Sequence, residues 1–218
     1  VSFPRQYRRT VTDRASVAGD QARARVLEVA LDLFAAAGYR GTSIAQVAEK
    51  AGLSQSGLLH HFPSKIALLV AALEHREEID GRPLEVDGEP PRGWSAFDAL
   101  IGLVSRNSAR PNQVRLFVTL SAEAIDPSHP AYDWVQRHYG SAYAWLTAAL
   151  EHGRAIGEVR EDIPIERVVH LTIAALDGLQ VQWLVSGGKL DMLGDFTAYV
   201  HDLKIRWSNA PPAGRIDR

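Results

Sequence analysis

The sequence predicts an all-α protein: a three-helix helix-turn-helix domain at the N-terminal end, followed by a helical bundle. Three observations predict it. Residues 42–65, TSIAQVAEKAGLSQSGLLHHFPSK, carry two sets of helix start and stop signals separated by a tight turn. Further along, apolar residues recur at helical spacing in one segment after another, each bounded by Gly or Pro. The alternation that would mark strands hardly occurs.

Residues 23–37, RARVLEVALDLFAAA, read as an amphipathic helix with Val26, Leu27, Ala30, Leu31 and Phe34 inward, stopped by Gly38. Ser43 and Gln46 then form a capping box, in which each side chain satisfies one of the other's orphan backbone donors. The helix they open buries Ile44, Val47, Ala48 and Ala51. It leaves through Gly52, where a positive φ is easy for a residue without Cβ. Ser54 caps the next helix, whose inward positions are Leu58 and Phe62, and Ala48 is small enough to let that helix come close. Pro63 ends it, and Ser64 caps a longer helix over about 65–79.

A helix pair of this kind is a DNA-binding arrangement when its second helix presents polar residues outward. Gln55 and Ser56, with Ser54, stand at the exposed start of that helix, where a Gln can pair bidentately with adenine. Lys65, at a helix start, is the best phosphate clamp, reinforced by Thr42 and Ser43 at another helix start. His60 projects from the same helix toward phosphate or base, whereas His61 reads as an ordinary surface or core residue beneath Phe62. The charge is arranged to match. The chain's formal net charge is −2, yet up to Ile66 nine Lys and Arg face five acids, and the remaining fifteen basic residues face twenty-one acids. A basic end on an acidic body directs DNA to one face.

In this stretch Gly38, Tyr39, Thr42, Ser43, Ile44, Ala48, Gly52, Ser54, Gly57, Leu58, His61, Phe62, Ser64 and Lys65 follow in order the N-terminal signature of the TetR family of transcriptional repressors, which this segment resembles. Two positions depart from it. Leu59 stands where the family usually has a tyrosine that meets a phosphate, and Ile66 follows Lys65 where the family favours Glu. The resemblance implies a sequence-specific regulator, a repressor released from operator DNA by a small molecule bound in the second domain. The reading it displaces is a helical architectural protein that binds DNA without sequence preference.

The rest of the chain continues as helices over 94–107, 111–125, from after Pro130 to Ile156, 164–186 and 191–208, after a polar Gly/Pro loop over 80–93. The expected domains are a flexible basic arm over 1–19 (with Arg5, Arg8, Arg9 and Arg14), the helix-turn-helix domain over 20–66, the ligand-binding and dimerisation domain over 67–208, and a flexible tail over 209–218. The helix over 164–186 is apolar on more than one face, so it has two partners to satisfy, and the helix over 191–208 carries a second apolar stripe. Leu176, Leu179, Trp183, Phe196, Tyr199 and Leu203 are assigned to a homodimer interface, with Gly178 permitting close approach. In TetR-like proteins the final two helices form such a four-helix contact. Phe97, Phe117, Trp134, His138, Trp145 and Trp183 are candidates for the walls of an effector cavity, with Glu123, Asp177 and Gln180 as polar anchors. Aromatics at helical spacing serve equally well as core, and the two carboxylates can instead pair with Arg115 or His170.

Other chemistries find little support. There is no cysteine, no HExxH or His-x3-His pair, no Gly-rich phosphate loop and no nucleophile elbow, so no metal, cofactor or enzymatic site is expected. No apolar signal segment opens the chain, and no apolar run is seen that reaches spanning length, which points to a cytoplasmic protein without a membrane contact.

Overall fold

The computed structural model describes residues 14–81 and 89–209. These form α1 (Arg14–Gly41), α2 (Ile44–Ala51), α3 (Gln55–His61), α4 (Lys65–Gly81), α5 (Trp94–Ser108), α6 (Pro111–Glu123), α7 (Tyr132–Ala155), α8 (Ile165–Val185) and α9 (Met192–Trp207). The expected arm up to residue 13, the middle of the expected loop and the tail beyond residue 209 lie outside the described residues. Contacts group into two units, the first drawn from Val1–Gly81 and Asn112–His138, the second from Arg82–Pro111 and Tyr139–Arg218.

In the first unit α1 starts at Arg14, well ahead of the expected residue 23, and takes in residues given to the arm from sequence. The run RASVAGDQA is alanine-rich, and alanine has the strongest helix preference of any residue. Gly38 leaves helical geometry at φ 73°, where the stop was expected, and a last turn carries the chain to Gly41. Along α1, Val26, Leu27, Ala30, Leu31, Phe34 and Ala35 are buried, and α4 packs along it with Leu68, Leu69, Ala72 and Leu73 enclosed. That packing is why α4 groups with the helix-turn-helix and not beyond a boundary at residue 66. The start of α7 belongs here too. Arg137 meets Glu74 at 3.5 Å, and His138 Nδ1 lies 2.5 Å from Glu77 Oε1.

In the second unit α9 packs against both α5 and α8. Phe97, Leu100 and Val104 of α5, Leu146 and Leu150 of α7, Val169 and Ile173 of α8, and Phe196 and Val200 of α9 are all buried. The end of α9 is stitched to the turn after α7: Arg160 N–H donates to the Trp207 carbonyl at 2.8 Å, and Asn209 N–H to the Glu158 carbonyl at 3.2 Å. Lys204 Nζ reaches Asp98 at 2.6 Å. Inside, the Thr172 hydroxyl donates to the Val168 carbonyl at 2.8 Å and lies 3.1 Å from the Tyr199 hydroxyl. Burial pushes the Tyr199 phenol above its ordinary value, and the Thr172 contact offsets part of that rise.

Some expectations change here. Of the residues assigned to a homodimer interface, Phe196 is fully enclosed and Trp183 nearly so within their own unit, while Leu176, Leu179, Tyr199 and Leu203 are half-buried and keep part of their surface open. α8 and α9 also turn the apolar residues Leu171, Val181, Val185 and Ile205 outward. Glu123 is an exposed carboxylate 3.7 Å from His129 Nε2, not a buried partner of Arg115. Asp177 accepts from the Tyr139 hydroxyl at 2.8 Å, while the ring of His170 packs edge-on against Tyr143. Finally, α8 is, by length and composition, apolar enough to cross a membrane. Its apolarity has packing to account for it, since Val168, Val169, Ile173 and Trp183 face inward, and the helix carries buried Thr172 and Gln180.

The turn between α2 and α3 yields the first prediction. Gly52 sits at φ 72°, ψ 30°, with its N–H donating to the Ala48 and Glu49 carbonyls, and an added Cβ would meet nothing within 4 Å. The cost of a side chain is therefore conformational only. Gly52→Ala should lower stability by about 1–2 kcal/mol in urea unfolding, and Gly52→Asn by clearly less; equal losses would contradict a purely backbone origin.

Candidate nucleic-acid interface

The helix pair is built as its sequence requires. At α2, Ser43 Oγ accepts from Gln46 N–H at 3.2 Å and Gln46 Oε1 accepts from Ser43 N–H at 2.8 Å, so the capping box is closed. At α3, Ser54 Oγ accepts from Gly57 N–H at 3.0 Å and lies 3.2 Å from Ser56 Oγ. At α4, Ser64 Oγ accepts from Ala67 N–H at 3.1 Å. Each helix start is thus held by a hydroxyl that replaces the missing carbonyl partner.

Packing then decides which way α3 faces. Leu58 and Phe62 are buried on one side, with Val47 and Ala48 of α2 buried beside them. The opposite side presents Gln55, Ser56, His60 and His61, all exposed, with Leu59 half-buried between. His61 therefore lies on the surface and not beneath Phe62, its ring edge-on to that of His60 at 5.5 Å. Phe62 is instead covered by the Arg23 guanidinium, 4.7 Å from its ring centre.

Thr42 and Lys65 differ from the sequence picture in an informative way. Thr42 is 3% exposed, and its hydroxyl lies 3.1 Å from the Leu33 carbonyl and 3.0 Å from the Gly38 carbonyl, so its side chain ties the α1–α2 corner and faces away from solvent. Its own carbonyl accepts from Lys65 Nζ at 2.9 Å, and that ammonium lies 4.4 Å from the centre of the Tyr39 ring. Sequence reasoning does not single out Tyr39 as a partner of Lys65. Both belong to one short motif, but the contact spans the whole helix pair.

Of the residues considered for an effector cavity, Phe117, Trp134 and His138 come together in the first unit. The His138 ring stacks on Trp134 at 5.2 Å, and Phe117 lies 4.9 Å from His138. Glu123, of the same unit, stands apart from them as an exposed carboxylate. In the second unit Phe97 packs edge-on to Trp94 at 5.3 Å as core, and Trp145 Nε1 donates to the Pro91 carbonyl at 3.3 Å. Asp177 and Gln180 lie one turn apart on α8, and Trp183 follows a further turn on. Each unit also holds one candidate with a buried polar atom that has no hydrogen-bond partner among the described residues: Trp134 Nε1 in the first and Gln180 Oε1 in the second.

Known proteins share both halves of this arrangement. Residues 26–72 match the N-terminal profile of bacterial regulatory proteins of the tetR family, and residues 97–203 match the C-terminal profile of BetI-type transcriptional repressors. The chain belongs to the tetR family of bacterial regulatory proteins. It is 38% identical over 109 residues to the HTH-type transcriptional regulator RutR of Escherichia coli (strain K12), a match covering 49% of this chain and 50% of RutR. The chain thus spans about half the length of that relative. A TetR transcriptional regulator from Chloroflexus aurantiacus has the same fold, with a TM-score of 0.73 at 21% identity over 89% of this chain and 100% of that one. So does the transcriptional regulator FadR from Bacillus subtilis, solved in complex with stearoyl-CoA, with a TM-score of 0.70 at 15% identity over 84% and 97% of the two chains.

The corner hydroxyl gives a prediction independent of DNA. Thr42→Val keeps shape but leaves the Leu33 and Gly38 carbonyls without their side-chain donor. It should cost about 1–2 kcal/mol in chemical unfolding. A variant as stable as the parent would mean that the corner does not depend on this group.

Proposed function

We propose that this chain is a sequence-specific, operator-binding transcriptional regulator, a repressor that acts as a homodimer and is released by a small-molecule effector. The observation that carries the reading is the division of α3 into a buried side, Leu58 and Phe62, and an exposed polar side, Gln55, Ser56 and His60. Such a helix fits the major groove with its first residues at base edges. Gln55 and Ser56 read sequence; Lys65, with the helix starts at Ser43 and Ser54, fixes register on phosphates.

A single helix of seven residues reads few base pairs, and a twofold dimer places two of them about 34–36 Å apart, one turn of DNA. The outward Leu171, Val181, Val185 and Ile205, with half-buried Leu176, Leu179, Tyr199 and Leu203, give α8 and α9 apolar surface for that dimer. For the effector, the support lies in the second unit, where Gln180 Oε1 is buried without a hydrogen-bond partner among the described residues, because such groups ordinarily have one. A ligand donor would satisfy this amide oxygen. Binding of stearoyl-CoA by FadR, a protein of the same fold, is consistent with this.

Selection of duplexes from a random pool tests the reading. The parent chain should enrich a palindromic consensus; an unenriched pool would contradict it. Gln55→Ala should return an altered consensus at the positions that Gln55 reads, with discrimination there reduced by about 1–3 kcal/mol. Lys65→Ala should weaken all duplexes alike and lower the salt slope by about 0.9 for each phosphate that is no longer neutralised. A sequence-selective effect in Lys65→Ala would contradict its role as a clamp. Val181→Asp should give monomers in light scattering and a binding curve shifted to much higher protein concentration, whereas a stable dimer would place the interface elsewhere.

A further inference from the structure

We infer that Tyr39 is a positioning residue for the phosphate contact of Lys65: its ring and the Thr42 carbonyl hold the ammonium in place before DNA arrives. The inference rests on the operator-binding reading above and extends it to a residue outside the recognition helix.

The α3 segment QSGLLHH contains neither Lys nor Arg, so fixed positive charge beside it must come from neighbouring elements. Lys65 supplies it from the first residue of α4. A lysine on an open surface samples many rotamers and gives up that freedom when it meets a phosphate. Here the freedom is already reduced. The ammonium lies 4.4 Å from the Tyr39 ring centre and donates to the Thr42 carbonyl at 2.9 Å.

The nature of these partners is what matters. Four other fixed cations meet carboxylates, Arg76 with Asp80, Arg137 with Glu74, Arg160 with Asp162 and Lys204 with Asp98, whereas Arg23 lies over the Phe62 ring and Arg206 over Trp207. Among the described residues no carboxylate lies within ion-pair distance of Lys65. A ring face and a carbonyl dipole orient a cation without neutralising it, and an ammonium with three donors keeps two for a phosphate.

The seat is itself rigid. Tyr39 stacks on the fully buried Phe34, with ring centres 6.1 Å apart and planes 28° apart. Thr42 is tied through its hydroxyl to the Leu33 and Gly38 carbonyls. Gly38, at φ 73°, makes the break in α1 that precedes Tyr39. The corner between α1 and α2 therefore serves as a socket for a side chain that arrives from α4.

The test measures binding of a fluorescein-labelled mixed-sequence duplex over a sodium chloride series, for the full chain and its variants, with urea unfolding confirming that each is folded. Tyr39→Leu should weaken binding about threefold per protomer and move the salt slope toward that of Lys65→Ala. Tyr39→Phe, which keeps the ring face, should restore both. In a Lys65→Ala background Tyr39→Leu should have no further effect on binding. An equal weakening with Lys65 absent, or an unchanged salt slope in Tyr39→Leu, overturns the inference while leaving the regulator reading intact. A parent chain with no salt-dependent affinity for duplex DNA overturns both.

Discussion

Everything the N-terminal unit can offer to DNA depends on the burial of Leu58 and Phe62. A helix of seven residues is too short to hold itself together in water, since nucleation costs more than so few hydrogen bonds return. It stands because these two side chains leave water, worth roughly 2–3 kcal/mol each, with α2 and its buried Val47 and Ala48 packed against α3 and the Arg23 guanidinium over the Phe62 ring. The same burial fixes which residues point outward. Gln55, Ser56 and His60 are exposed because Leu58 and Phe62 are not.

The capping hydroxyls act on a second level. Ser43, Ser54 and Ser64 each accept a backbone N–H at the start of a helix, so three successive helices begin at defined residues. A slip of one residue at any of these would rotate a helix by about a quarter turn and move its outward face. Thr42 does the corresponding work between α1 and α2, from the inside. The unit reads as a set of short helices whose rotations are each pinned at one end by a hydroxyl and along one side by apolar packing.

This half is legible in the sequence because its signals are local. The capping box, the serine caps, Gly38, Gly52 and Pro63 act on residues close in sequence, and the structure has them where the spacing puts them. The starts of α5, α6 and α8 are equally legible. What is not legible depends on contacts between distant segments. α8 is apolar around much of its circumference, so spacing alone is no guide to which stripe faces inward, and Trp183 proves internal while Val181 and Val185 turn outward. Glu123 looks buried because its neighbours are apolar, yet it falls at the end of α6 and reaches solvent. The start of α1 escapes a reading by periodicity because residues 14–22 carry helix propensity without a clear apolar stripe. The pairing of Lys65 with Tyr39 joins the first residue of α4 to the corner after α1, a separation that no local pattern reports.

Operator recognition as proposed requires two α3 helices to enter successive major grooves of one duplex. Dimethyl sulfate footprinting on a selected duplex is the most direct test, because it reports guanine N7 in the major groove separately from adenine N3 in the minor groove. Two patches of guanine N7 protection about one helical turn apart are expected, with adenine N3 still reactive within them. Protection confined to the minor groove, or a single patch at saturating protein, would contradict the placement of α3.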